Sequence, residues 1–334
     1  MQLGCRTLMI RRLSIVFCGV CLTASSAVAQ QDLQATVKAE LPQYEQQAGV
    51  SGNLNSIGSD TLNNLMTFWA EGFRKLYPNV RIQIEGKGSS TAPPALIEGT
   101  AQLGPMSRPM KDSEIARFEK AYGFAPARMA VALDALAVFV HRSNPVEALS
   151  MAQVDAIFSK TRRCGMTNAI DRWGKVGLTG AWANLPIRLY GRNSASGTYG
   201  FFKQHALCRG DFRNSVKEQP GSASVVNGIA NDRSGIGYSG IGYQTSGVRT
   251  VALKRRGDEP AYAPDYENVL SGKYPLGRKL YVYYVDPPNE PVDPVVREFL
   301  SYVLSQAGQL AVVKDGYLPL PAQFAAKQRE ALQP

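Results

Sequence analysis

From Val131 to Val140 the chain is apolar at every position but one, and the exception is Asp134. A run of this kind suits a strand covered on both faces rather than one half-open to water. Such a strand needs other strands beside it and further layers over it, and the flanking sequence supplies them. Leu62, Leu65, Met66, Trp69, Phe73 and Leu76 recur at helical spacing until Pro78 stops them. Val80, Ile82 and Ile84 alternate as a strand, and Pro93 and Pro94 fit the first turn of a helix that ends at Gly99. Beyond the apolar run, Ser150 caps a helix to Phe158, and Pro186 to Gly191 reads as a strand. Val225 to Ala230 is a short helix, Ile236 to Tyr243 a Gly-rich strand and turn, and Leu280 to Val285 a strand. Pro294 opens a final amphipathic helix through Val295, Phe299, Leu300, Val303 and Leu304. Strands alternating with helices predict an α/β fold with a mostly parallel sheet covered on both faces.

Three helix starts carry Ser, Thr and Gly together: Gly58-Ser59-Asp60-Thr61, Gly88-Ser89-Ser90-Thr91 and Ser196-Gly197-Thr198. The first N–H groups of a helix lack internal partners, and the helix dipole adds partial positive charge there. Small hydroxyl residues let an anion approach and add donors of their own. Arg192, four residues before the third start, brings a fixed charge and a planar fork of donors. One such start is an ordinary N-cap. Three beside an arginine point to a receptor for a tetrahedral oxyanion.

The first 29 residues read as a cleaved export signal. Arg6, Arg11 and Arg12 form the basic region, Leu13 to Leu22 the apolar core, and Ala27-Val28-Ala29 the cleavage site. The alternative is a lipid anchor on Cys18 or Cys21, but Phe17 and Val20 before them are larger than the residue such a cysteine follows. Export places the domain that follows outside the cytoplasm, and Gln30 to about Gly49 is expected to be a flexible, Gln-rich lead-in. About 305 residues follow the signal, enough for two lobes. Of five cysteines only Cys164 and Cys208 outlast the signal, which suggests one disulfide in an oxidising compartment; two buried thiols are the alternative. The formal charge of +10 includes the three signal arginines, leaving +7 by subtraction. The basic residues are scattered without interleaved aromatics, so a nucleic-acid partner is not expected, whereas steering of small anions is.

The ordered set of motifs resembles the phosphate-binding proteins that serve ABC transporters, within the wider group of periplasmic binding proteins. Its members are the first two helix starts, Gly104 to Pro109, Arg192 to Thr198, Ser224-Val225-Val226, Gly235-Ile236-Gly237-Tyr238 and Lys314-Asp315-Gly316-Tyr317 before Pro319. Together they cover almost all of residues 52–321. The resemblance implies a two-lobed periplasmic-binding-protein fold of type II-like form, with two crossings between lobes. Residues 50–135 and 279–334 would form the first lobe and 136–278 the second, with crossings near Asp134 to Val138 and at Leu280 to Val285. It further implies inorganic phosphate as ligand, an ABC permease in the inner membrane as partner, and no cofactor.

Carried over by position, Thr61, Ser89, Arg192, Ser196, Gly197 and Thr198 fall on the family's ligand-contacting positions, with Ser59 and Ser90 as neighbouring donors. The best-known members place an Asp in the first lobe to accept the proton of hydrogen phosphate. This chain has Ser107 there, and a hydroxyl both donates and accepts. Asp60 and Asp134 are the candidate substitutes, against simpler readings as a first-turn acid and a hinge residue. Arg108 is read either as a cleft-edge cation or as surface cover. The main competing classes are a receptor for another oxyanion such as sulfate, an extracytoplasmic phosphatase, and an adhesion or scaffold role. A phosphatase would need clustered metal ligands or a nucleophile with its base, and the carboxylates here are scattered singly.

Overall fold

The structure is a computed structural model describing residues 21–332, with side chains from Gln30 onward. Residues 1–20 of the expected export signal lie outside the described residues. Helix α1 (Cys21–Glu40) leads to β1 (Gly52–Ile57), α2 (Asn63–Leu76), β2 (Val80–Glu85), α3 (Ala92–Ile97), β3 (Gly104–Met106), α4 (Asp112–Tyr122) and the long β4 (Ala127–His141). Next come β5 (Ala148–Ser150), α5 (Met151–Phe158), β6 (Arg188–Arg192), α6 (Gly197–His205), β7 (Lys217–Gln219) and α7 (Ser222–Ala230). Then follow β8 (Gly235–Gly240), β9 (Val248–Thr250), β10 (Ala252–Lys254) and α8 (Tyr266–Leu270). The chain closes with β11 (Gly277–Tyr284), α9 (Pro294–Val303), α10 (Gln306–Lys314) and α11 (Ala322–Glu330). No described helix is long and apolar enough to cross a membrane.

The apolar run sits inside β4, the strand on which the whole sheet is built. Six strands lie in the order β3-β11-β4-β8-β6-β7, with β9 also paired to β4. The first part of β4 pairs with β11 and the second part with β8, both antiparallel, while β6 pairs with β8 and β7 in parallel. The sheet is therefore mixed rather than mostly parallel. The reason is connectivity: β4 carries the chain out across the waist and β11 brings it back alongside, so the two run in opposite senses.

Packing divides at the same place. Met129, Val131 and Leu133 join a core with Trp69, Phe73, Leu280, Val282 and Phe299. From Ala135 onward β4 belongs to other clusters, and its two faces separate. Leu136, Val138 and Val140 pack with Phe158, Trp173, Phe202 and Tyr238. Ala137 and Phe139 face Tyr190, Val225 and Ile229. This alternation is the period of two expected of a strand between layers. On the returning side Leu276 belongs to the second core and Leu280 to the first. Between the cores, in direct register, lie Asp134 and Arg278.

Two stretches depart from the sequence reading. Residues 30–49, expected to be flexible, include the last two to three turns of α1, with Val37 and Leu41 buried in the first core. Gln306 Nε2 donates to Lys38 O (2.9 Å), and Tyr44 donates to Glu298 Oε2 (2.7 Å) while sharing a 2.6 Å hydrogen bond with Tyr77. A few apolar contacts and polar clasps hold a segment whose composition is otherwise that of a tail. The helix at Pro294 is also not the last, because α10 and α11 follow it; Trp69 Nε1 donates to Gly308 O (2.8 Å), seating α10 on α2.

Cys164 and Cys208 form the expected disulfide, which joins the loop after α5 to the end of α6. It closes 44 residues, so chain entropy alone gives about 4 kcal/mol, and native disulfides are worth about 2–4 kcal/mol. Replacing both cysteines with Ala is expected to lower unfolding free energy by about that amount while leaving anion binding intact, since the bond lies at the far end of α6 from Thr198. Denaturant unfolding and calorimetric titration on the same variant check both halves.

Candidate functional site

Strand β6 ends at Arg192, and the chain turns through Asn193, Ser194 and Ala195 into Ser196, the N-cap of α6. Ser196 Oγ accepts from the N–H groups of Thr198 (3.1 Å) and Tyr199 (3.4 Å). With both lone pairs engaged, its remaining capacity is to donate one proton. Gly197 occupies a point where a side chain has no room. An added Cβ would collide with Ser89 Oγ and lie 2.7 Å from Ser107 Oγ. The Thr198 hydroxyl is fully buried, 2.8 Å from Thr61 Oγ1 and 3.4 Å from Ser107 Oγ, and Arg278 Nη2 donates to it at 3.0 Å.

The opposing side is built from two short 3-10 turns. Asp60–Leu62 leads into α2 and Ser89–Thr91 into α3. Gly88 N donates to Gly58 O (2.7 Å), tying the turns together, and Ser59 N donates to Pro105 O (2.7 Å). Gly88 has φ +119°, a backbone setting that favours glycine. Ser89 Oγ accepts from Ser107 N (3.0 Å) and lies 3.3 Å from Ser107 Oγ. Ser90 N donates to Ala195 O (3.1 Å) across the gap between the sides. Thr61, Ser89, Ser107, Gly197 and Thr198 are thus brought into one cluster, with Ser196 capping it from one side, Ser59 buried behind and Ser90 at its rim.

Two buried arginines flank the cluster, each against an aspartate. Arg192 Nη1 lies 3.1 Å from Asp60 Oδ2 and donates to Ser222 Oγ (2.6 Å), and Nη2 donates to Pro220 O (3.1 Å). Its Nε is buried without a partner. Burial pulls the Arg192 pKa down and the Asp60 charge opposes that shift, but a guanidinium stays charged throughout. Asp60 Oδ2 also accepts from Ser222 N (2.8 Å), so this acid bridges the two sides rather than only favouring the first turn of its helix.

Asp134 is placed differently from the expectation of anion contact. Its Oδ2 takes Arg278 Nε (2.8 Å) and Nη2 (2.7 Å), and its Oδ1 accepts from Ile241 N (3.0 Å). Both oxygens are engaged and the residue is fully buried, which makes it the anchor of Arg278. Arg108 is not surface cover: it sits at the edge of the cluster, where its Nη2 donates to Ser90 Oγ (3.3 Å). It is buried and holds both oxygens of Glu114 at 2.7 Å. Burial would push the Glu114 carboxyl up, yet the hydrogen bonds from Arg108 and Lys111 N outweigh it and hold the group below its usual range.

The sequence model of a PBP superfamily domain matches residues 43–307. The Phosphate-binding protein PstS of Pseudomonas aeruginosa is 56% identical over 315 residues, covering 94% of this chain and 95% of the relative. The chain belongs to the PBP superfamily, in the PstS family. Protein SphX of Synechococcus elongatus is 30% identical over 277 residues, covering 81% and 79%. Among solved structures, one from Clostridium perfringens with bound phosphate aligns with a TM-score of 0.67 at 24% identity, covering 81% of this chain and all of that one. An ABC-type phosphate transport receptor from Vibrio cholerae aligns at 0.61 with 21% identity, covering 80% and 100%. These two likenesses place the fold as the two-lobed binding-protein type. The Pseudomonas relative and the two solved structures carry the names of binding proteins and a transport receptor, not of enzymes.

Sequence reasoning missed two residues of the cluster. Arg278 enters the sequence reading only as the end of the second lobe, and Ser222 lies two residues before the Ser224 that the motif singles out. For Arg278 a partial signal existed: with Lys279 it heads an otherwise uncharged strand, as Asp134 is a lone acid in an apolar run. A single buried acid calls for a cation partner, but the sequence does not say which of the two basic residues supplies it.

The turn that carries Asp60 and Thr61 is held from behind by two tyrosines. Tyr243 Oη donates to Asp60 O and Tyr317 Oη to Thr61 O, each at 2.8 Å. Beside them Asp315 is largely buried, its Oδ2 without a partner, and burial pushes its carboxyl from the ordinary 3.8 up to about 7. The folded state therefore holds this proton more tightly than the unfolded chain. Its contribution to stability is present at low pH and is lost as the pH rises through 7. Asp315→Asn removes the titration, so the stability gap between variant and parent is expected to widen in the variant's favour by about 1–3 kcal/mol from pH 5 to pH 8. Thermal unfolding across that range checks it, and a constant gap would mean the carboxylate is solvated.

Proposed function

We propose that the protein binds inorganic phosphate between its two lobes in the periplasm and delivers it to an ABC permease of the inner membrane. The observation that carries this reading is the convergence on Thr198. A hydroxyl at the start of α6 meets Thr61 and Ser107 from the other lobe, with the buried Arg192 fork nearby. The 56% identity to a protein named for phosphate binding supports the choice of anion.

Chemically the cluster is rich in donors. The hydroxyl of Ser196 has its lone pairs occupied and a proton to give, and Gly197 offers a first-turn N–H with no side chain in the way. An oxyanion seated among Thr61, Ser89, Gly197 and Thr198 would replace hydroxyl–hydroxyl contacts with charge-assisted ones, which are about twice as strong. Arg192 Nε, a buried donor with no partner, would gain an acceptor. Because the donors come from both lobes, the anion is gripped fully only when the lobes meet, and this differential contact drives closure. The closed form then presents the surface the permease recognises. Asp60, next to Thr61 in the chain, is the better candidate to accept the proton of hydrogen phosphate, since both oxygens of Asp134 are engaged.

Titration calorimetry of the phosphate-stripped protein is expected to give tight 1:1 binding of phosphate. Arg192→Ala should weaken it by about 1.5–3 kcal/mol, roughly ten- to 150-fold. Ser107→Asp should increase discrimination against sulfate, because a carboxylate at that point only accepts. Sulfate binding as tightly as phosphate in the parent protein would favour the general oxyanion alternative, and an unchanged affinity in Arg192→Ala would remove that residue from the site.

A further inference from the structure

We propose that Arg278 is a positioning residue of the anion site, fixing the Thr198 hydroxyl as a donor toward the bound anion. This inference rests on the phosphate reading above and adds a residue whose own nitrogens are occupied elsewhere. Arg278 Nε and Nη2 hold Asp134 Oδ2 at 2.8 and 2.7 Å, and Nη1 donates to Ser107 O at 3.0 Å. The guanidinium carbon stands 5.3 Å from the centre of the Phe201 ring. Only after these contacts does Nη2 donate to Thr198 Oγ1 at 3.0 Å.

The direction of that last bond is not negotiable, because a guanidinium donates and never accepts. Thr198 Oγ1 must therefore spend a lone pair on Arg278, and its proton is left for the side where Thr61 Oγ1 and Ser107 Oγ lie at 2.8 and 3.4 Å. Without Arg278 the same hydroxyl has a competing choice. Its hydroxyl can rotate so that its lone pairs, not its proton, face Thr61 and Ser107, and it then accepts from them. An anion wants the first arrangement and is repelled by the second. Arg278 also ties three parts together: the crossing strand at Asp134, the first lobe at Ser107 O and the second lobe at Thr198. The orientation it imposes is thus available only when the lobes are together.

A double-mutant cycle of Arg278→Lys and Thr198→Val, titrated calorimetrically with inorganic phosphate, tests this. Lysine keeps a charge opposite Asp134 but cannot hold Asp134, Ser107 O and Thr198 with one fork. Arg278→Lys is expected to weaken phosphate about tenfold in the parent background and less than about twofold in Thr198→Val. If thermal unfolding shows that Arg278→Lys is not folded, the pair Arg278→Gln with Asp134→Asn takes its place in the same cycle. Equal losses in both backgrounds would mean a general structural role, and no loss in the parent background would mean no role; either overturns the inference while leaving phosphate binding intact. A parent protein that binds no phosphate overturns the phosphate reading and this inference with it.

Discussion

The ion pair between Asp134 and Arg278 sits where the two hydrophobic cores part, on neighbouring strands that are the only long segments crossing from one to the other among the described residues. Two charges buried at such a waist are held in place by each other. Removing one partner of a buried pair costs about 3–5 kcal/mol, because the other is left uncompensated. The pair fixes the register of β4 on β11, and through Arg278 it reaches Ser107 on one side and Thr198 on the other. The geometry of the candidate site is therefore set from the hinge outward, not from the surface inward.

The second consequence is electrostatic. Each buried arginine beside the cluster already faces a carboxylate: Arg192 with Asp60, Arg278 with Asp134 and Arg108 with Glu114. The cluster itself is made of hydroxyls and backbone N–H groups. An anion held there on the proposed reading would be stabilised mainly by short-range oriented dipoles and very little by net positive charge. Oriented dipoles in a water-excluded site are insensitive to the salt that screens charges over roughly 8–10 Å in solution. The surplus of Lys and Arg on the outside acts only at longer range, on encounter.

Much of this was legible from the chain alone, for identifiable reasons. The helix starts announce themselves because capping chemistry is local: Ser196, Gly197 and Thr198 occur within three residues. The strand through Asp134 is legible because the nine other residues from Val131 to Val140 share one property. What escaped is non-local. Arg278 acquires its place only by register with a residue 144 positions away, and Ser222 only because α7 is packed against the turn at Asp60. The sense of the sheet was misjudged because alternating helices and strands do not reveal which strands cross the waist. Residues 30–49 look like a tail by composition, and a few contacts, among them Val37, Leu41, the Tyr44 hydroxyl and the Gln306 clasp on Lys38, give them a seat.

A crystal structure grown with phosphate is the most direct test of the central claim, that hydroxyls and N–H groups from both lobes converge on one anion. One tetrahedral density is expected within about 2.6–3.1 Å of the Thr61 and Thr198 hydroxyls and the Gly197 N–H, with the Arg192 guanidinium alongside. Phosphate bound elsewhere on the protein, with Thr61 and Thr198 still in direct contact with each other, would contradict it.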